Sequence, residues 1–227
     1  ILIPNDIAEQ KKIAEILSKV DEEINKTDEL ISKTGEIKRG VFREFLNQDN
    51  NTKDWKIRKI KELLDFEQPN NYIVENENYN NEFKIPVLTA NKSFILGYTN
   101  ETFGIYKNIP VIIFDDFTTD SKFVNFPFKI KSSAIKILKN KENVSDIKFV
   151  YEVMKSINFP IANHKRHYIS QYQELEILTP SLSEQKRISK ILEFIDKKLD
   201  KQKELKEKLI QLKKGLMSDL LSGKVRV

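Results

Sequence analysis

The chain begins and ends on apolar residues spaced alternately three and four apart. Near the start they fall at Ile13, Leu17, Val20, Ile24 and Ile31, with Thr27 and Thr34 in register and Val41 and Phe45 beyond. Near the end they fall at Ile188, Leu192, Ile195, Leu199, Leu205, Leu209, Leu212 and Leu216. Such spacing lays one narrow stripe along a helix and predicts a seam against a second helix. Each predicted helix starts just after a proline. Asn5 or Asp6, and Ser181 or Ser183, are placed to cap the first free N–H groups. Ser181 and Glu184 also have capping-box spacing. About 38 helical residues make a rod of roughly 57 Å.

The two stretches are copies of one another. Glu9-Gln10-Lys11 matches Glu184-Gln185-Lys186 at a separation of 175 positions. The same separation carries Ile13 to Ile188, Ile16-Leu17 to Ile191-Leu192 and Asp21 to Asp196. It continues through Glu29-Leu30 to Glu204-Leu205, Lys38 to Lys213, Gly40 to Gly215 and Leu46 to Leu221. Lys/Glu-rich amphipathic helices resemble each other in general, but shared Pro, Glu-Gln, Asp and Gly landmarks do not follow from amphipathicity. The first helix runs into the middle of the chain and the second leaves it, so side by side they run antiparallel. Residues 1–50 carry 8 basic and 11 acidic residues, and residues 179–227 carry 13 and 7, so their charges are opposite. Exposed ion pairs contribute only tenths of a kcal/mol each, and burial of the Ile/Leu seam dominates.

Between the helices the pattern changes. Asp49-Asn50-Asn51-Thr52 is a polar break, after which residues 51–178 hold most of the aromatic and β-branched runs. Phe83–Thr89, Ile109–Phe114, Phe126–Lys131, Ala134–Leu138 and Leu175–Leu178 read as strands, and Ile147–Ile157 as a short helix. The expected fold class is therefore α+β, a globular domain plus two long antiparallel helices forming a coiled coil. The expected boundaries are 1–50 for the first helix, 51–178 for the domain and 179–227 for the second helix.

Composition narrows the chemistry. With 39% hydrophobic and 32% charged residues, the chain has a globular composition rich in charge. It has no run of 18 apolar residues, and its start, Ile1-Leu2-Ile3-Pro4, has neither a basic region nor a signal-peptide core. The absence of Cys rules out disulfides, thiolate zinc sites and a Cys nucleophile, and a cytoplasmic location is expected. The formal charge of +5 permits a polyanionic partner without requiring one.

Charge placement says more. Residues 121–141 contain Lys122, Lys129, Lys131, Lys136, Lys139 and Lys141 and no acid. Lys129, Lys136, Lys139 and Lys141 read as the wet face of strands. Asn163-His164-Lys165-Arg166-His167-Tyr168 is a basic, aromatic-flanked segment dense in donors, and Thr118–Lys122 reads as a polar loop after a strand.

The landmarks of the repeat identify a family resemblance. The openings Pro4 to Asp21 and Pro180 to Asp196, and the tail Lys213-Lys214-Gly215-Leu216 through Gly223-Lys224-Val225-Arg226-Val227, resemble the spacers of type I restriction–modification specificity subunits. The stretch from Val111 through Asp115-Asp116-Phe117-Thr118-Thr119 to Lys131-Ser132-Ser133 is similar to one class of their target-recognition domains. Members of the family carry two recognition domains and two spacers. This chain reads spacer, recognition domain, spacer, as the C-terminal portion of a subunit or a half-size form. Ile1-Leu2-Ile3-Pro4 matches Ile177-Leu178-Thr179-Pro180, so a recognition domain is expected before Ile1.

The resemblance implies a non-catalytic subunit that reads one half of a bipartite double-stranded DNA target. It implies docking of methyltransferase subunits on the helices, and indirect association with a translocase–nuclease subunit. A second copy of the chain is a further candidate partner. No cofactor is implied for this chain, and S-adenosylmethionine belongs to the methyltransferase partner. The candidate DNA contacts are Lys92, Thr118, Thr119, Ser121, Lys122, Lys131, Ser132, His164, Lys165, Arg166 and Tyr168. The candidate helix-pair interface is Ile13, Leu17, Val20, Ile24, Ile31, Ile188, Leu192, Ile195, Leu199 and Leu209.

Catalytic signatures are missing. The six glycines form no phosphate or dinucleotide loop, and an Asn-Pro-Pro-Tyr-type methyltransferase motif is absent. Asp65 with Glu82-Phe83-Lys84, or Asp116 with Asp146-Ile147-Lys148, has nuclease-like spacing, which chance supplies in a chain one-third charged. His164 and His167 lack a nearby third ligand, and no metal site is expected. The rival function is a coiled-coil protein-interaction adaptor that binds no DNA.

Overall fold

The computed structural model describes residues 6–47, 54–90, 93–160 and 166–227. Packing divides the chain into two units, one of residues 51–189 and one of residues 1–50 with 190–227. In chain order the helices and strands are α1 (Ile7–Leu46), β1 (Lys56–Lys59), α2 (Ile60–Leu63), β2 (Leu64–Glu67), β3 (Ile85–Leu88), β4 (Ile95–Thr99), β5 (Val111–Asp115), β6 (Ser121–Val124), β7 (Lys129–Ile130), β8 (Ile135–Asn140), α3 (Ile147–Ser156), β9 (Glu176–Thr179) and α4 (Leu182–Leu221). Among the described residues no helix is long and apolar enough to cross a membrane.

The globular unit is built on a four-stranded antiparallel sheet in the order β2-β8-β5-β6. Strand β5 sits in the middle, and all five of its residues are buried. Strand pleating sends alternate side chains to opposite faces, and here both faces are covered. Val111, Ile113, Val124, Ile135 and Ile137 face one way and join Leu88, Tyr106, Phe128 and Ile130 in one core cluster. Those partners lie in or beside a three-stranded sheet in the order β4-β3-β7, in which β3 and β7 run parallel. On the other face Phe114 meets Tyr168 and Tyr172, while Phe123 meets Tyr151 of α3. Asp146 caps α3 by accepting from Phe149 N at 3.0 Å. A separate pair, β1 with β9, closes the unit, with Ile60 N donating to the Leu175 carbonyl at 3.0 Å.

The predicted strand over Phe126–Lys131 shrinks to Lys129–Ile130, preceded by an isolated bridge between Tyr106 and Phe128. Strands β1, β2, β4 and β6 appear where no strand was expected. They are short and mostly at sheet edges, where polar residues dilute the period-two signal.

The first two turns of α4 belong to the globular unit. Gln185 is buried there, accepting from Asp146 N at 2.8 Å and donating to the carbonyls of Pro180 at 3.0 Å and Val144 at 3.3 Å. Ser189 bonds the Asp146 carboxylate. Ile188, expected in the helix pair, is therefore part of the globular unit, where it is fully buried. The cap is Ser181, whose Oγ accepts from Glu184 N at 3.4 Å.

In the helical unit the ion pairs fix direction and register. Lys38 pairs with Asp196 at 2.7 Å, Lys206 with Asp28 at 2.6 Å, and Lys213 with Asp21 at 2.6 Å. As the α1 position falls from 38 to 28 to 21, the α4 position rises from 196 to 206 to 213. That is antiparallel pairing at one constant register. Asp6 caps α1, accepting from Ala8 N at 2.9 Å.

Along α1 the inward positions are Ile13, Leu17, Val20, Ile24, Thr27, Ile31, Thr34, Lys38 and Val41, an unbroken heptad. On α4 they are Leu192, Ile195, Leu199, Gln202, Lys206, Leu209, Lys213, Leu216 and Leu220. The expected seam members Leu205 and Leu212 are 50% and 52% exposed, because the heptad places Lys206 and Lys213 inward instead. Leu205 and Leu212 each lie one position before an inward residue, as Leu30 and Ile37 do on α1. In an antiparallel pair such positions share one side, so four exposed apolar residues gather there. Asp21, Asp28 and Asp196 each lie one position after an inward residue and line the opposite side.

Candidate nucleic-acid interface

The site is built where β5 ends. Two aspartates follow one another there and do different work. Asp115 folds the turn into β6. Its Oδ1 accepts from Phe117 N at 2.8 Å and Thr118 N at 3.0 Å, and its own N–H donates to the Asp120 carbonyl at 2.8 Å. Thr119 takes φ 58°, a left-handed conformation that closes the turn. Phe117 and Thr118 are left on the outside.

Asp116 is buried and ties three stretches of chain together. Its N–H donates to the Ala134 carbonyl at 2.9 Å, next to the Ser132 turn. Its carbonyl accepts from His167 N at 2.8 Å, and its Oδ1 accepts from Tyr168 N at 2.9 Å. Its Oδ2 lies 3.3 Å from Lys136 Nζ, which also donates to Gln68 Oε1 at 2.9 Å. Thr118, Thr119, Ser132 and Arg166, far apart in sequence, are thereby brought to one end of the four-stranded sheet. In the sequence, Asp116 and Phe117 stand within the stretch that resembles a recognition domain, and Asp116 also has nuclease-like spacing, but neither is among the expected DNA contacts. The Asp-Asp-Phe-Thr-Thr run directly after a strand is the signal that marks such an aspartate-closed turn.

The other expected contacts divide. Ser121 and Lys122 are not in a loop. They open β6, an edge strand, opposite Phe114 and Ile113. Lys131 is ion-paired with Glu77. Tyr168 is corrected from a DNA-facing residue to a core residue: it is fully buried, edge-on to Phe66 at 5.6 Å and Phe114 at 5.2 Å. Burial pushes its hydroxyl pKa upward. His167 is buried beside it. Lys92, His164 and Lys165 lie outside the described residues.

The wet-face expectation for the strand lysines fails for two of them. Lys129 and Lys136 are 0% and 1% exposed. Lys129 pairs with Glu101, donates to the Phe103 carbonyl at 3.1 Å and lies 4.3 Å from the centroid of the Phe103 ring. Burial works against the Glu101 charge. The Lys129 ammonium and the N–H groups of Asn76 and Glu75 outweigh it and hold the carboxyl below its ordinary range. Lys139 and Lys141 are nearer the surface and pair with Glu67 at 3.0 Å and Asp65 at 3.5 Å. The acid-free stretch 121–141 is thus largely neutralised by acids from elsewhere in the fold. Of the expected cationic contacts, Lys122 and Arg166 have no carboxylate partner among the described residues. Nor do the described residues contain a group of three His, Asp or Glu placed to hold a metal ion.

This arrangement, with the flanking helices, can be set beside known proteins. The family model described as the type I restriction modification DNA specificity domain matches residues 52–211. The chain belongs to this family. The specificity subunit of the type I restriction enzyme EcoR124I/EcoR124II from Escherichia coli is 44% identical over 146 residues, covering 59% of this chain and 36% of that subunit. The putative MjaX specificity subunit of Methanocaldococcus jannaschii is 26% identical over 250 aligned residues, covering 97% of this chain and 58% of its own length. Among solved structures, the S subunit of the type I restriction–modification system from M. genitalium matches with a TM-score of 0.69 at 18% identity. That match covers 95% of this chain and 61% of the other. At such identity the likeness is one of fold, long flanking helices included. The chain spans between about a third and three fifths of the length of these relatives.

Proposed function

We propose that this chain is a recognition unit of a type I specificity subunit, reading one half of a split double-stranded DNA target without catalysing a reaction itself. One observation carries the reading. The buried Asp116 gathers exposed Thr118, Ser132 and Arg166 at one end of the sheet, leaving a cation with no acid among the described residues to neutralise it. Hydroxyls at the same end of the sheet as a guanidinium that meets no described carboxylate are what phosphate contact and base-edge readout require. The helix pair serves as a spacer of fixed length and as the dock for methyltransferase subunits, which would hold S-adenosylmethionine. The exposed side carrying Leu30, Ile37, Leu205 and Leu212 supports such a dock, because apolar patches of this kind mark protein–protein contact.

The test is salt-dependent binding of duplex DNA by the 227-residue chain, alone and with its methyltransferase partner. Charge reversal at Lys165 and Arg166 should weaken binding at least tenfold, while the far-ultraviolet helical signal stays unchanged. A chain that binds its partner but no duplex at low salt, in either form, is an adaptor, and the proposal falls.

A further inference from the structure

We infer that Arg166 reads a guanine in the major groove and that Phe117 positions its guanidinium for this. The inference rests on the DNA-recognition reading above and names the base that this part of the site takes. Three observations lead to it. First, Arg166 is exposed and has no carboxylate partner among the described residues, whereas Lys129, Lys131, Lys136, Lys139 and Lys141 all have one. Second, its backbone is anchored. The two residues after it donate their N–H groups to Asp116, one to the carbonyl and one to the carboxylate, and its own carbonyl accepts from Ser170 Oγ at 2.9 Å. Third, its guanidinium carbon lies 6.0 Å from the centroid of the Phe117 ring, and Phe117 N is held by Asp115.

Phe117 is 39% exposed at the tip of a turn fixed by two aspartates. Beside a guanidinium its ring offers a negative face that restrains the long side chain. A phosphate needs only a point charge, which a flexible lysine supplies. A guanidinium adds a planar fork of donors, which fits phosphate oxygens and, on a restrained stem, also matches the fixed O6 and N7 of guanine. The anchored turn, the aromatic neighbour and the missing acid together favour base readout over backbone contact.

The experiment is selection from a random-sequence duplex library by the full chain and by Arg166→Lys, Arg166→Ala and Phe117→Leu. Thermal midpoints serve as the folding control, since both side chains are at the surface. The wild type should enrich a motif containing an invariant guanine. Arg166→Lys keeps the charge but not the fork. It should lose about 5- to 150-fold of the discrimination at that one position, the range of a good bidentate contact. The other positions and the salt dependence should be preserved. Phe117→Leu should relax the same position to a smaller extent. If Arg166→Ala instead weakens every selected sequence equally and lowers the salt slope by about 0.9, Arg166 is a phosphate contact and the inference is overturned. A motif unchanged in all three variants overturns it as well. A folded wild type that enriches no sequence overturns the DNA-recognition reading, and this inference with it.

Discussion

Lys136 and Lys139 stand three residues apart on one strand and look alike in sequence, yet their environments differ in kind. Lys136 is buried against Asp116 and Gln68, while Lys139 meets Glu67 near the surface. Removing one member of a buried ion pair leaves the other charge without its counter-charge, at a cost of about 3–5 kcal/mol. Lys136→Met should therefore destabilise the globular unit by that order in urea unfolding, while Lys139→Met should cost under about 1 kcal/mol. Equal losses for the two would show that Asp116 is not held in this way. Glu101 adds a dependence on pH. Its carboxyl is more acidic in the folded chain than its ordinary value of 4.5, so the folded state binds fewer protons there. The stability it contributes is complete above that value and is lost as pH falls through the folded pKa. Glu101→Gln should be less stable at neutral pH and should lose less further stability between pH 5 and pH 3, as followed by denaturant midpoints. A wild-type and variant difference that does not change with pH would refute this.

At the level of elements, the long helices, their caps and their antiparallel sense were legible from periodicity and connectivity. The seam was only half legible. Counting apolar residues selects Leu205 and Leu212, but the heptad from Leu192 passes through Lys206 and Lys213. Lysine can occupy an inward position because its stem is apolar, and its charge reaches an acid on the other helix. Here that acid is Asp28 or Asp21. Leu209→Ala should cost about 1–2 kcal/mol, since Leu209 is partly buried in the seam. Leu212→Ala should stay within about 0.5 kcal/mol. Thermal unfolding read at the helical band compares the two, and an equal loss would mean that the helices pair in another register. The strand lysines were illegible for a different reason. Period-two alternation shows that a strand has two faces, but not that both are covered. Here α3 and the aromatic residues lie over one face and the second sheet over the other. Of the expected contacts, Thr118, Thr119, Ser132 and Arg166 come to one end of the sheet, while Ser121 and Lys122 open a strand and Tyr168 enters the core. The buried carboxylate that joins them is a tertiary fact without a local pattern.

For the whole molecule, charge must be counted after folding. The middle region carries 18 basic and 16 acidic residues, and the lysines from 129 to 141 are matched within the fold. A polyanion responds to unmatched cations placed on one face, not to the formal +5. With Arg166 assigned to a base, Lys92, Lys122 and Lys165 remain as the expected phosphate contacts. Each neutralised phosphate adds about −0.9 to the slope of log affinity against log salt. Three such contacts give about −2.7, which is roughly a 40-fold loss between 50 and 200 mM salt. Anisotropy of a labelled duplex across that range measures the slope. A slope steeper than about −6 would mean that cations beyond these three also meet DNA. A slope near −2.7 that falls by about one unit with Lys122→Ala, but keeps its value with Arg166→Ala, would assign the edge strand to the backbone and the anchored turn to the bases.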